Sequence, residues 1–340
     1  MTQDQRIGQL FMVGLQKDRL TEAATAAIAA SHLGSVTFTK QTDIGVSAVR
    51  ALTDRVQALA TTAATDRVGF LVAANQEGGL IQGLSGPGFD AIPSALRQGT
   101  WTASVLRRKA TRWGDQLRDA GVNLDLAPVG DVVPAGTDAQ NAPIGQLRRA
   151  FGHDPATVAV HVRAFVRGME RADVATAVKH FPGLGRVVGN TDVTADVDDR
   201  TTTADDQSLE PFATAIEAGV PFVMVSLATY DRIDPVHQAV FSPTIMGRLL
   251  RGAMSFDGVV ISDALGATAV SSIAPAKRAV DFIEAGGDMI ISNDVEEAVE
   301  MARAIAERSA IDPDLAARVD DAALRILQAK EALGLVPCGG

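Results

Sequence analysis

Eight short apolar, β-branched runs recur along the 340-residue chain, each followed by a Gly, Asn or Asp turn and an amphipathic, Ala-rich segment. They span 10–13, 35–39, 68–73, 122–126, 175–178, 222–226, 259–262 and 288–292, with helical stretches such as 46–59, 105–119, 157–171 and 275–285 between them. Strands that are apolar throughout must be covered on both faces, and alternation with helices supplies that cover, so the pattern predicts a parallel sheet. Eight such units point to an α/β protein of one domain, a closed (β/α)8 barrel of the TIM type, rather than an open doubly wound sheet. The open alternative wants a phosphate loop after its first strand, and Gly14-Leu15-Gln16-Lys17 has no such signature. No internal repeat, low-complexity tract or linker divides residues 1–340, and the last helix, 313–333, is expected to pack back on the barrel.

Composition narrows the partners. A net charge of −10 and a pI near 5.0 argue against nucleic acid or an anionic membrane surface, both of which require a basic face. No run approaches eighteen uninterrupted apolar residues, so no transmembrane helix is expected. The single cysteine, Cys338, excludes an internal disulfide and leaves the compartment open. No signal peptide precedes Ile7, where structure is expected to begin. The expected location is therefore cytoplasmic or, if a leader has been removed, secreted or in the cell envelope. The oligomeric state has no signal in the sequence.

In a barrel of this kind the active site lies at the carboxyl ends of the strands. The third run delivers Asn75-Gln76-Glu77-Gly78-Gly79, and the fourth the segment from Asp125 to Asp131. The fifth gives Lys179 and His180, the sixth Ser226 and Tyr230, the seventh Asp263, and the eighth Asn293 and Asp294. A mouth with several carboxylates, one Lys, one His and almost no aromatic residue suits a small polyhydroxylated ligand. After Lys179-His180-Phe181-Pro182-Gly183-Leu184-Gly185 the chain opens into a polar loop holding Asn190, Asp192, Asp196, Asp198 and Asp199. Each of these residues has an ordinary structural reading: Asp263 as a helix N-cap, His180 as a satisfied core imidazole, Lys179 as a surface cation. Their convergence at neighbouring strand ends favours chemistry, because glycosidic cleavage needs two carboxyl groups, one to attack the anomeric carbon and one to protonate the leaving oxygen. No H-E-x-x-H, paired Cys or EF-hand spacing occurs, so no metal or other cofactor is expected. The G-x-S-x-G elbow of serine hydrolases is absent, and Gly183-Leu184-Gly185-Arg186-Val187-Val188-Gly189 fits a dinucleotide loop poorly.

Several stretches, in order and spaced nearly end to end, resemble glycoside hydrolase family 3 and within it the single-domain β-N-acetylglucosaminidases. They are Ile7-Gly8-Gln9-Leu10-Phe11-Met12-Val13-Gly14, Gln76-Glu77-Gly78-Gly79, Ala127-Pro128-Val129-Gly130-Asp131-Val132, Arg149-Ala150-Phe151-Gly152, Lys179-His180-Phe181-Pro182-Gly183, Ile261-Ser262-Asp263 and Ala285-Gly286-Gly287-Asp288-Met289. The resemblance implies a retaining mechanism through a covalent glycosyl-enzyme, with Asp263 as nucleophile and Lys179, His180 and Arg149 holding sugar hydroxyls. Asn75 and Asp131 complete the expected sugar-binding set. The implied substrates are terminal β-linked N-acetylglucosamine on cell-wall or chitin-type fragments.

The chain departs from the family pattern at three places. Asn75 stands where the family has an Asp that clasps sugar hydroxyls, and Gly83 falls where an Arg often lies. The loop after Gly183 normally bears an Asp-Ser-His run whose His is the general acid/base, and here the corresponding residues are Asn190-Thr191-Asp192. Three readings follow. One is a glycosidase with Asp192 as acid/base, another a weak or inactive relative that binds an amino sugar or wall fragment, and the third a β-glycosidase of other sugar specificity.

Overall fold

The computed structural model describes residues 1–15 and 19–337; Cys338 lies outside them. Eight parallel strands run in the order β7-β6-β5-β4-β3-β2-β1-β8. They are β1 (Phe11–Leu15), β2 (Ser35–Phe38), β3 (Leu71–Ala74), β4 (Leu124–Asp125), β5 (Ala175–Phe181), β6 (Phe222–Val225), β7 (Val259–Ser262) and β8 (Ile290–Ser292). The two ends of that order meet through a parallel bridge between Ile261 and Met289, which closes the sheet into a barrel. All eight strands lie within a few residues of the runs predicted from periodicity, because both faces of each are buried and both demand apolar side chains.

Two boundaries differ in ways that matter for the site. The sequence predicts that the fifth strand stops at Val178, yet β5 continues to Phe181. The extension is held by the Lys179 N–H donating to Pro128 O (3.1 Å), the Gly130 N–H donating to Lys179 O (2.6 Å) and the Ser226 N–H donating to Phe181 O (2.9 Å). A register shift between Val178 and Phe181 accompanies it. Lys179 and His180 are therefore set on the sheet rather than in a loop. The fourth strand is shorter than expected, two residues rather than five, as the chain turns toward Pro128, which has no N–H for a ladder.

Helices cover the outside, among them Gly45–Gln57, Ala103–Asp119, Pro155–Glu170, Pro275–Glu284 and Val295–Ser309. The long helices start at clear caps: Thr102, Asp154 and Asp294 each accept a first-turn N–H, with Pro155 following Asp154. The helix Pro313–Ala332 turns Leu315, Val319, Ala322 and Ile326 inward. It also brings the fully buried Lys330 to Gln9 Oε1 (2.6 Å) and Gly34 O (2.7 Å). This arrangement leaves the strand carboxyl ends, with Asn75, Lys179, His180 and Asp263, at the other end of the barrel.

Candidate active site

Those strand ends surround a cavity of about 490 Å³. Its floor is apolar (Phe38, Leu126, Met224, Ile291), and its walls include Asn75, Arg149, Lys179, His180, Asn190, Thr191, Asp192, Asp263 and Asn293. Asp192 and Asp263 are the only carboxylates lining it among the described residues.

One side is a network of fixed charges. Glu77, almost fully buried, accepts from Arg149 Nε at 2.8 Å and Nη2 at 2.7 Å, and pairs with Lys179 Nζ at 2.7 Å. Gly78 permits this placement: its φ is +101°, and a Cβ there would come within 2.4 Å of Pro93 O. Burial alone would raise the Glu77 pKa, but the charges and hydrogen bonds of Arg149 and Lys179 outweigh it and hold the carboxyl at about 2. Burial works against the Arg149 charge as well, and the Glu77 pairing more than reverses that, so its pKa is raised. Asp125, at the end of β4, behaves oppositely. Burial pushes it to about 7, only partly offset by the Gln76 N–H and the Lys179 charge and reinforced by Glu77.

His180 is spent on positioning contacts. Its Nδ1 lies 2.8 Å from Asp131 Oδ2, and its Nε2 lies 3.3 Å from Arg149 Nη2. A guanidinium can only donate, so Nε2 accepts and the ring proton sits on Nδ1, donated to Asp131. The sequence reading cast His180 as a donor to sugar hydroxyls and Asp131 as a sugar ligand. The geometry instead puts Asp131 behind His180, fully buried and outside the cavity wall, its Oδ1 accepting the His180 and Leu184 backbone N–H groups. Ser226 and Tyr230 are likewise behind the wall: the Tyr230 hydroxyl, 2.9 Å from Ser226 Oγ, donates to Gly183 O (2.9 Å) and braces the start of the polar loop. Asp294 is a helix cap.

Asp263 follows β7, anchored by its N–H to Val225 O (2.9 Å) and by Oδ1 accepting the Ala264 N–H (2.8 Å). The loop carrying Asp192 is docked onto the same segment. Ala269 N–H donates to Thr191 O (3.1 Å) and Thr268 N–H to Asp192 O (3.3 Å), while Asn190 Oδ1 accepts the Asp192 N–H (3.0 Å). Asp192 keeps one side in solvent. Its pKa is raised, first by partial desolvation and then by the negative charge of Asp263 across the cavity, against the pull of His180, Arg149 and Lys179. The other loop carboxylates do not compete. Asp199 is consumed by Thr201 and Thr202, and neither Asp196 nor Asp198 lines the cavity.

Asn141 and Glu77 were given no role by the sequence. Asn141, buried, donates to Leu184 O (2.7 Å) and Val187 O (2.8 Å) and accepts from the Ile144 and Gly145 N–H groups, tying the Arg149 segment to the Asp192 loop. No local pattern marks it. Glu77 lies in Gln76-Glu77-Gly78-Gly79, where a carboxylate beside Gly-Gly at a strand end is the signal that marks it.

The family model described as "Glycosyl hydrolase family 3 N terminal domain" matches residues 2–329. The chain belongs to glycosyl hydrolase family 3. A beta-hexosaminidase of Xylella fastidiosa is 35% identical over 231 residues, 65% of this chain and 66% of that protein's length. The crystal structure of a β-N-acetylhexosaminidase from Beutenbergia cavernae superposes with a TM-score of 0.96 at 48% identity, covering 97% of this chain and 99% of that one. A family 3 β-N-acetylglucosaminidase from Paenibacillus sp. gives 0.89 at 28% identity, covering 100% and 64%. The family 3 barrel agrees with the fold read from the eight repeating runs. Among the described residues no group of His, Cys, Asp and Glu is placed to hold a metal ion, and no helix is long and apolar enough to cross a membrane.

Proposed function

We propose that this family 3 protein is a retaining exo-β-N-acetylglucosaminidase that releases terminal β-linked N-acetylglucosamine. The observation that carries the reading is that one cavity holds two carboxylates, Asp263 on the end of β7 and Asp192 on the loop docked against it. The names of the relatives support the sugar class.

In the first step the Asp263 carboxylate attacks the anomeric carbon while Asp192, protonated, gives its proton to the departing glycosidic oxygen. Desolvation and the Asp263 charge keep Asp192 protonated more readily than an ordinary carboxylate, as a general acid requires. Once Asp263 is esterified its charge is gone. One of the two causes of the raised Asp192 pKa is then removed, and Asp192 becomes the base that takes a proton from water as water attacks the anomeric carbon and displaces the Asp263 carboxylate. Lys179 and Arg149, held by Glu77, donate to ring hydroxyls. His180 is the only histidine lining the cavity among the described residues, and both its ring nitrogens are engaged, which leaves the acid/base role to Asp192.

The test is covalent trapping. A 2-fluoro glycosyl fluoride, or a comparable slow substrate, is expected to label Asp263 alone, and Asp263→Ala is expected to retain the fold and lose nearly all turnover of an activated aryl N-acetylglucosaminide. A label on another residue, or full activity in the alanine variant, overturns the assignment. Binding of N-acetylglucosamine by the wild-type protein without turnover of the aryl substrate would instead point to a sugar-binding relative.

A further inference from the structure

The chain from Leu184 to Asp192 is suspended between two supports. On the β7 side the Thr268 and Ala269 N–H groups hold Asp192 O and Thr191 O. On the β4 side the support is the turn that opens at Asn141. The Asn141 amide donates to Leu184 O (2.7 Å) and Val187 O (2.8 Å), and the next residue, Ala142, donates its N–H to Val188 O (3.2 Å). Among the described residues no other hydrogen bond ties the backbone between Gly185 and Asn190 to the barrel. The Arg186 side chain adds an ion pair to Asp206, later in the chain.

Asn141 divides its bonds by atom. The Ile144 and Gly145 N–H groups can only donate, so the atom they meet, at 3.1 and 2.7 Å, is the side-chain oxygen. The nitrogen is then the atom against the two loop carbonyls, which can only accept. The oxygen closes the turn that carries Arg149, whose N–H donates to Ile144 O (3.0 Å) and whose Nη1 donates to Pro143 O (2.9 Å). Glycine is required inside that turn, because a Cβ on Gly145 would come within 2.7 Å of Asp138 Cα and O. The amide oxygen therefore serves the cation on the cavity wall, and the amide nitrogen serves the loop of Asp192. Both donor and both acceptor positions of the amide are filled, at a residue buried away from solvent.

We infer that Asn141 is a positioning residue for proton transfer: its amide nitrogen holds the loop that presents Asp192 to the glycosidic oxygen, and its oxygen keeps that loop in a fixed relation to Arg149. The inference rests on Asp192 being the acid/base. Without the amide donors the loop hangs on the Thr268 and Ala269 N–H groups alone, and the proton donor loses its place while the sugar keeps its grip on Arg149. Asn141 touches neither Asp192 nor the cavity, so its effect passes entirely through the loop backbone.

Asn141→Asp separates the two halves. It keeps the oxygen that faces Ile144 and Gly145, and offers at most one proton where the amide nitrogen offered two, so at least one loop carbonyl is left facing oxygen. With a β-linked N-acetylglucosamine disaccharide, whose leaving group needs protonation, kcat/KM should fall by at least about a hundredfold. With a dinitrophenyl β-N-acetylglucosaminide, whose leaving group does not, kcat/KM should stay within about threefold of wild type. The Kd of N-acetylglucosamine by calorimetry should change by less than about twofold, because the turn behind Arg149 is intact. Added to Asp192→Ala, the substitution should lower disaccharide turnover by no more than about threefold further, since both changes remove the same proton donor. Equal losses on the two substrates with a weakened Kd, wild-type turnover of the disaccharide, or a fully additive double variant would each overturn the inference. If Asn141→Asp does not fold, Asn141→Ser, which keeps an acceptor oxygen and lacks the amide donors, is judged by the same ratios. Asp192→Ala without a leaving-group-selective loss would instead remove the acid/base reading on which the inference rests.

Discussion

Glu77→Gln removes the one anion that joins Arg149 and Lys179 while leaving the volume of the side chain unchanged. The drop in the Glu77 pKa from 4.5 to about 2 corresponds to about 3 kcal/mol of folding stability at about 1.4 kcal/mol per unit. Because the carboxylate is almost completely buried, solvent screening takes little from that figure. Independently, removing one partner of a buried ion pair costs about 3–5 kcal/mol. The expected loss is therefore about 3 kcal/mol, read by urea unfolding at neutral pH. Its pH dependence is diagnostic. The folded pKa lies below the unfolded one, so the advantage of the wild type is fully present above pH 4.5 and shrinks as the pH falls toward 2. Function should suffer with stability: Arg149 and Lys179 lose the anchor that holds them at the cavity wall, and kcat/KM should fall on the order of a hundredfold. A Gln variant within about 1 kcal/mol of wild type, with unchanged kcat/KM and no pH-dependent difference below 4.5, would refute the argument that Glu77 organises this wall.

Three further predictions concern the loop and the opposite end of the barrel. Asp192→Ala should cripple substrates with poor leaving groups while sparing the first step with activated aryl glycosides, and added azide should restore turnover as the β-glycosyl azide; wild-type behaviour on both substrate classes would make Asp192 a mere loop residue. The enzyme should hydrolyse rather than phosphorolyse, because a carboxylate acid/base turns negative on giving up its proton and repels phosphate dianion at short range. Rate acceleration by phosphate with sugar 1-phosphate as product would contradict this. Lys330, whose pKa burial lowers from 10.5 to about 7, should make stability rise by up to about 1.4 kcal/mol per pH unit above pH 7 relative to Lys330→Met, since there the unfolded chain holds a proton that the folded one does not. Parallel urea titrations of the two proteins between pH 7 and 9 would reveal it, and equal slopes would exclude it.

The alternation of fully apolar runs with amphipathic segments was enough to determine the barrel. A strand buried on both faces and a helix buried on one leave patterns in consecutive residues, and eight repeats leave little choice of closure. The same reasoning placed Lys179, His180, Asp263 and Asn75 at one end of the molecule, because strand ends can be counted along the chain. Which of these groups reaches the cavity was decided by contacts between residues far apart in sequence. Glu77 and Arg149 meet across 72 positions, and Asp131 and His180 across 49. Those pairings spend His180 on Asp131 and Arg149 and remove Asp131 from the wall, while Lys179, donating to Asn75 Oδ1 across 104 positions, turns the Asn75 amide nitrogen away. The docking of Thr191 and Asp192 onto Thr268 and Ala269 uses backbone groups alone, which every residue carries and no side-chain pattern announces. Periodicity records which face of an element is buried. The direction of a hydrogen bond and the charge that a carboxyl bears depend on neighbours supplied by the fold.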